Sequence, residues 1–209
     1  MALILASASP RRRELLTQAG YCFEVQASTV AESRRPEEDA IRFATRLARE
    51  KAEEVFARCS APEVMVLGAD TVVVCDGEVM GKPQDAAEAT RMLLLLSGRT
   101  HHVVTGVAVV WGKGAAEVAA ELTHVTMRTL SPQEVADYVA SGEPMDKAGA
   151  YAIQGYAARW IPRINGCYFN VVGLPLALVA SLLEGAEQRL ASHLSPAGTS
   201  ENSPGRSPG

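Results

Sequence analysis

Apolar positions along the chain recur with two periods, and the changes between them predict a series of strands and helices. Ala2 to Ala6 is a short continuous apolar run and predicts a buried strand. Ser7-Ala8-Ser9 is a small-residue loop. Ser9 then caps a helix that Pro10 opens, that runs through Leu15 and Leu16, and that stops at Gly20. Tyr21 to Ala27 predicts a second strand and residues 28–36 a polar connection. Pro36-Glu37-Glu38 opens a long helix to about Arg58, with Ile41, Ala44, Leu47 and Ala48 at helical spacing. Val64 to Val74 is a long apolar stretch: nine of its eleven residues are apolar or Gly, which predicts a buried strand. Asp76-Gly77 is a tight hairpin turn leading into Glu78-Val79-Met80.

Further along, Pro83 begins a helix that continues from Gln84 to Leu96, with Gly98 in the expected C-terminal position. Val103 to Val110 and Ala116 to Arg128 predict a long β-hairpin around Gly112-Lys113-Gly114. Ser131-Pro132-Gln133-Glu134 carries a Ser cap, a first-position Pro and a third-position Glu, so a helix follows and ends near Ser141-Gly142. Residues 144–173 are loop-rich, with a hairpin turn at Asn165-Gly166 and a strand at Cys167 to Val172. Gly173-Leu174-Pro175 leads into a final helix to about Leu190. Residues 194–209 are rich in Pro, Gly and Ser and predict a disordered tail behind a folded domain of residues 1–193. No internal repeat is present.

Composition narrows the function classes. A formal net charge of −4 implies no general attraction to nucleic acid. The four cysteines are scattered without a CxxC pair, so neither a zinc site nor a disulfide framework is suggested, and reduced thiols in the cytoplasm are expected. No apolar run reaches the roughly 18 residues of a membrane span, and Met1 to Ala6 lacks the basic region of a signal peptide.

Several residues break local rules. Asp70 stands inside the Val64–Val74 run, where an ionised carboxylate is costly unless paired. It is either a structural Asp bonded to a neighbouring turn or a carboxylate facing a cleft, able to bind a metal or activate water. Gly68 before it suggests a turn or a close approach of the backbone to something else. Arg11, Arg12 and Arg13 occupy the first turn of a helix, where the dipole disfavours each cation by about 0.3–1 kcal/mol. Either they point to water or they build a phosphate site with the free N–H groups of the helix start. Lys82 is a second basic group before a helix start, readable also as a loop lysine, and Lys51 reads alone as a solvated helix lysine. The amide of Gln154, between Ile153 and Gly155, suits reading the edge of a base or satisfying a turn. His101 and His102 lack ligand spacing and read as residues at the start of a strand.

Taken in order, Ser7-Ala8-Ser9-Pro10-Arg11-Arg12, Gly68-Ala69-Asp70-Thr71, Lys82-Pro83, Ser97-Gly98-Arg99-Thr100, Gly142-Glu143-Pro144 with Asp146-Lys147-Ala148-Gly149, and Asn170-Val171-Val172-Gly173-Leu174-Pro175 resemble the Maf (septum-formation-inhibitor-like) family of nucleoside triphosphate pyrophosphatases. The resemblance covers roughly residues 3–185. It implies an α/β fold of the Maf/ITPase-like kind: an elongated, twisted mixed sheet with flanking helices and two lobes around a cleft. It implies hydrolysis of a nucleoside triphosphate to the monophosphate and diphosphate with a divalent cation, Mg²⁺ or Mn²⁺. Asp70 matches the family's catalytic acid, a general base, and Arg11, Thr71 and Gln154 match positions linked to substrate choice. Ile153-Gln154-Gly155 and Arg11 look like the branch that prefers dTTP and UTP, whereas sister branches prefer 7-methyl-GTP, or CTP and UTP. Ala152 stands where many members have Gly and Cys167 where many have Ser, and both are expected to line the Gln154 region.

On this reading Arg11, Arg12, Lys51 and Lys82 surround the triphosphate together with the helix start at Ser9, and Asp70 and Glu32 hold the metal. The implied role is house-cleaning of nucleotides. The implied partner is a nucleoside triphosphate, not nucleic acid or a membrane, and a homodimer stays open. A nucleotide-binding regulator of cell division without turnover is the competing class, although Asp70 is not needed for binding alone.

Overall fold

The computed structural model describes residues 2–59 and 63–194. The expected disordered tail therefore lies, beyond Leu194, outside the described residues. The chain runs β1 (Ala2–Leu5), α1 (Pro10–Gln18), β2 (Glu24–Val25), α2 (Ala40–Phe56), β3 (Val64–Cys75), β4 (Glu78–Met80), α3 (Ala86–Leu96), β5 (Thr100–Trp111), β6 (Ala115–Thr126), α4 (Pro132–Ala140), β7 (Arg163–Asn165), α5 (Tyr168–Val172) and α6 (Leu176–Leu194). Short 3-10 turns at Glu143–Asp146, Ala148–Ala150 and Tyr156–Trp160 join α4 to β7.

All strands share one mixed sheet of order β2-β1-β3-β5-β6-β7, with β4 paired to β3 outside that path. The length of β3 explains the layout. One edge pairs antiparallel with β5 from Met65 to Val74. The other edge carries two separate neighbours: β1, parallel, against Val64 to Leu67, and β4, antiparallel, against Val73 to Cys75. Between them the edge of Gly68 to Val72 has no strand partner, and the sheet is split there.

Alternation along β3 sorts its side chains. Met65, Leu67 and Ala69 join Leu15 and Leu16 of α1 and Leu182 and Leu183 of α6 in one core. Val73 and Cys75, past the split, join Met92 and Leu93 of α3, Tyr138 of α4 and Trp160 in a second core. Val64, Val66 and Val72 face α2, packing with Ala48, Ala52 and Val55 or with Phe43, Ala44 and Leu47. These two cores are the two lobes, and β3 and β5 run through both.

The small residues under α2 have a physical purpose. A Cβ on Gly68 would lie 2.1 Å from the Ala48 carbonyl oxygen, and one on Gly106 would lie 2.4 Å from the Ala44 carbonyl. The close approach suggested by Gly68 is thus the backbone of α2.

Some boundaries differ from the sequence expectation. α2 starts after Asp39, whose carboxylate accepts from the Arg42 N–H at 2.8 Å, rather than at Pro36, and Glu37 adopts a left-handed φ of 66°. α3 starts after Asp85, whose carboxylate accepts from the Glu88 N–H at 2.8 Å, rather than at Pro83. In both cases an acid cap outcompetes an upstream proline. β2 is two residues long, and α6 continues past Leu190 to Leu194. The strand expected at Cys167 to Val172 is a short helix instead. Asn170 is fully buried there and donates to the Val103 carbonyl at 3.0 Å and to Thr123 Oγ1 at 2.9 Å. A buried amide demands these partners, and the helical turn supplies them before Gly173, at φ 122°, ends it.

Gly106→Ala is expected to destabilise the chain by about 1–3 kcal/mol through overpacking, at about 2–4 °C of melting temperature per kcal/mol. Gly81→Ala, with open space around its Cβ, is the control. Equal melting temperatures for the two variants by calorimetry would contradict the close seating of α2.

Candidate active site

The split in the sheet opens into a cavity of about 610 Å³. Ser9, Arg11, Arg12, Glu32, Lys51, Asp70, Thr71, Lys82 and Gln154 all line it. Their elements converge for simple reasons. The loop after β1 and the start of α1 enter where β1 leaves β3, Asp70 and Thr71 lie on the unpaired stretch of β3, and Lys51 comes from α2 above.

Asp70 points to the α2 side of the sheet and is only 6% exposed. Its cross-strand neighbour is Gly106, and the seating of α2 on that glycine brings Lys51 within reach. Lys51 Nζ donates to Asp70 Oδ1 at 2.6 Å and to Glu32 Oε1 at 2.6 Å. Lys82 Nζ lies 3.9 Å from the other Glu32 oxygen. Burial pushes the Asp70 carboxyl above its ordinary range, and the charges of Lys51 and Arg12 offset this only in part. For Glu32, burial also acts upward, but the hydrogen bond from Lys51 and the charges of Lys51, Lys82 and Arg12 outweigh it, leaving Glu32 below the usual range. Lys51 reads from sequence as a surface lysine, yet its side chain is 8% exposed.

The basic first turn of α1 is resolved residue by residue. Ser9 Oγ accepts from the Arg12 N–H at 3.4 Å, as an N-cap. Arg13 is exposed. The Arg12 guanidinium donates to the Gly173 carbonyl at 2.9 Å, to Ser7 Oγ at 3.2 Å and to Thr71 Oγ1 at 3.0 Å. Arg11 reaches across the cavity and donates to the Asp146 carboxylate at 3.0 Å and its carbonyl at 3.2 Å. Lys147 Nζ bonds the other Asp146 oxygen at 2.5 Å and the Glu143 carbonyl at 2.6 Å.

Asp146 and Lys147 line the cavity and were not among the candidate residues. The signal was an acid and a base side by side at a small-residue turn. Nothing local places that turn opposite a helix 135 residues away. The Thr71 hydroxyl lies between Arg12 and Thr105 Oγ1, the latter at 2.9 Å. Gln154 is exposed within a turn closed by the Gly155 N–H on the Ala152 carbonyl at 3.1 Å. Ala152 lines the cavity as expected, whereas Cys167 sits away from it, exchanging backbone bonds with Thr123 Oγ1.

Among the described residues no group of three or more His, Cys, Asp or Glu side chains could hold a metal ion. Asp146, across the same cavity, is paired with Arg11 and Lys147, while Asp70 and Glu32 are a pair of carboxylates sharing one ammonium. That donor set suits Mg²⁺, which is held by one or two carboxylates plus substrate phosphates, and not an all-protein cage.

The family profile described as Maf-like protein matches residues 2–186. The chain belongs to the Maf-like family. A curated relative from Koribacter versatilis, named dTTP/UTP pyrophosphatase, is 51% identical over 186 residues, covering 89% of this chain and 95% of the relative. One of the same name from Salmonella typhimurium is 52% identical over 181 residues, covering 87% and 91%. A crystal structure of a nucleoside-triphosphatase / dITP/XTP pyrophosphatase from Mycobacterium abscessus covers 94% of the chain and 98% of its own at 17% identity and a TM-score of 0.43, too distant to bear on the site.

In this Maf-like chain the Asp70 carboxyl, followed by carbon-13 NMR in metal-free protein, is expected to titrate above the ordinary carboxylate value of about 3.9. Its folded value exceeds its unfolded one, so this carboxyl favours folding at low pH, and the contribution fades as the pH rises through the folded value. Lys51→Met removes the nearest cation and should move the titration further up. A downward movement would mean that Lys51 does not stabilise the ionised form.

Proposed function

We propose that the chain hydrolyses nucleoside triphosphates to the monophosphate and diphosphate, with dTTP and UTP preferred. The observation that carries the reaction is a buried carboxylate, Asp70, bonded to Lys51 at the unpaired edge of β3, in one cavity with Arg11, Arg12 and Lys82. The nucleotide preference is supported by the two relatives above, each of which bears that name at about half identity.

The physical task is to bring water to the α-phosphorus of a polyanion. Arg11, Arg12, Lys51 and Lys82 neutralise the phosphates beside the start of α1. Lys82 is half-exposed, and Arg11 needs only to exchange one exposed acid, Asp146, for phosphate. Asp70 takes the proton of the attacking water, and burial, by raising its pKa, makes it a stronger base than an exposed aspartate. Asp70 and Glu32 would hold a divalent cation that, when bound, neutralises phosphate charge and polarises the phosphoryl group. The Gln154 amide reads the base edge. Thr71, bonded to both Arg12 and Thr105, holds Arg12 in place.

The four cysteines are free, and no helix among the described residues is long and apolar enough to cross a membrane. A place in the cytoplasm, where the chain would act on the nucleotide pool as a house-cleaning enzyme, belongs to the same proposal.

Pyrophosphate release with Mg²⁺ across dTTP, UTP, CTP, dATP, dGTP, ITP and 7-methyl-GTP tests the reading. Release should be led by dTTP and UTP. Release led by 7-methyl-GTP or CTP would keep the chemistry and overturn the preference, and no release from folded protein would favour a binding-only regulator. Asp70→Asn is expected to fold, by circular dichroism, and to lose about 10²–10⁴ in rate, the scale of a removed general base; full activity in that variant would sink the assignment. Gln154→Ala should change the dTTP-to-CTP ratio more than the rate on the best substrate, and an unchanged ratio would count against a base contact.

A further inference from the structure

Gln154 sits on a short segment, residues 152–155, outside any helix or strand, that leads into the 3-10 turn beginning at Tyr156. Its ends are fixed from one place. Glu143, the first residue of the 3-10 turn after α4, extends its carboxylate beneath the segment. Glu143 Oε1 accepts from the Tyr156 N–H at 3.1 Å and from the Tyr138 hydroxyl at 3.0 Å. The Tyr138 hydroxyl in turn accepts from the Ala152 N–H at 3.4 Å. Tyr138 is 2% exposed, its ring stacks on Tyr156 at 5.8 Å and meets Trp160 edge-on at 5.0 Å, so its hydroxyl has no freedom to wander. Gly155 completes the arrangement, because a Cβ there would lie 1.9 Å from Glu143 Oε1.

We propose that Glu143 is a positioning residue for nucleotide selectivity, clamping residues 152–156 through Tyr138 and the Tyr156 N–H so that Gln154 meets the base in one orientation. The inference deepens the reading of this cleft as a nucleoside triphosphate site and rests on it. Glu143 acts through its carboxylate on the base end only. Its carbonyl holds Lys147 at the phosphate end, and a side-chain substitution leaves that carbonyl in place. The clamp needs an acceptor oxygen, not a charge: one amide oxygen can accept from both the Tyr138 hydroxyl and the Tyr156 N–H.

The test compares wild type, Glu143→Ala, Glu143→Gln, Tyr138→Phe and Gly155→Ala. Three readouts are taken: the dTTP-to-CTP ratio of kcat/KM, the same ratio of dissociation constants by calorimetry, and the inhibition constant of pyrophosphate. Glu143→Ala and Gly155→Ala, which break the clamp from opposite sides, should each lower the selectivity ratio by about tenfold, the scale of one lost buried hydrogen bond. Tyr138→Phe should lower it less, and Glu143→Gln should keep it. Pyrophosphate inhibition should stay within about twofold of wild type throughout, since a factor of two is well under one hydrogen bond. A general collapse of the cleft would move the selectivity ratios and the pyrophosphate inhibition together and overturn the proposal. So would unchanged selectivity in Glu143→Ala and Gly155→Ala, loss in Glu143→Gln equal to that in Glu143→Ala, or a wild type that binds all the nucleotides equally. A wild type that binds selectively but hydrolyses nothing defeats only the catalytic reading, and the binding ratios then decide the clamp.

Discussion

The buried contact between Asp70 and Lys51 constrains everything around it. Removing two charges from water costs several kcal/mol per ion, and a short hydrogen-bonded geometry is needed to offset that. The 2.6 Å bond, the second bond from Lys51 to Glu32 and the nearby Arg12 supply part of that offset. None of this works unless α2 lies almost on the sheet. Gly68 and Gly106 remove the Cβ atoms that would hold it off, and Ala44, Ala48 and Ala52 present a small-residue face in return. The upward shift of Asp70 shows which effect wins: burial exceeds the attraction of its neighbours, so the carboxylate is kept basic.

The same strand that carries Asp70 also makes the cavity. Two short partners, β1 and β4, share one edge of β3 and leave Gly68 to Val72 uncovered. An unpaired stretch of strand ordinarily invites another chain. Here it is covered by side chains of α1, by Lys51 and by the turn at Asp146 to Ala148, which form the walls of the cleft. The continuous pairings of β3 with β5 and of β5 with β6 then become essential, because these two ladders run through both lobes.

Much of this was legible in the chain, because the informative residues broke local rules. An acid in an apolar run, arginines at the positive end of a helix and a glycine in mid-strand each cost something locally, and each marks the cavity wall or its support. Lys51 was weaker as a signal: its helical spacing is ordinary, and only the seating of α2 on Gly106 makes it a buried partner. Asp146, Tyr138 and Glu143 depend on contacts across the fold, which no periodicity encodes. The turn of Cys167 to Val172 into a helix has the same origin. Its apolar pattern is ambiguous over so short a run, and the buried bonds of Asn170 decide it.

Arg11 and Arg12 are adjacent, yet the fold treats their charges differently. Arg11 is matched by an exposed carboxylate, so an anion arriving at Arg11 must displace Asp146 and gains little beyond the exchange. Arg12 is held only by neutral acceptors, a carbonyl and two hydroxyls, and its desolvation lowers its pKa despite the more distant Asp70 and Glu32. Its geometry is thus fixed while its charge stays uncompensated by any direct ionic partner. A phosphate oxygen there meets a preorganised, partly desolvated cation and need not break an ion pair to reach it, which is the arrangement in which a charge-assisted hydrogen bond is worth most. On the proposed function, the attraction of the cleft for a polyanion would therefore centre on Arg12, with Arg11 and Lys82 as adjustable outer contacts.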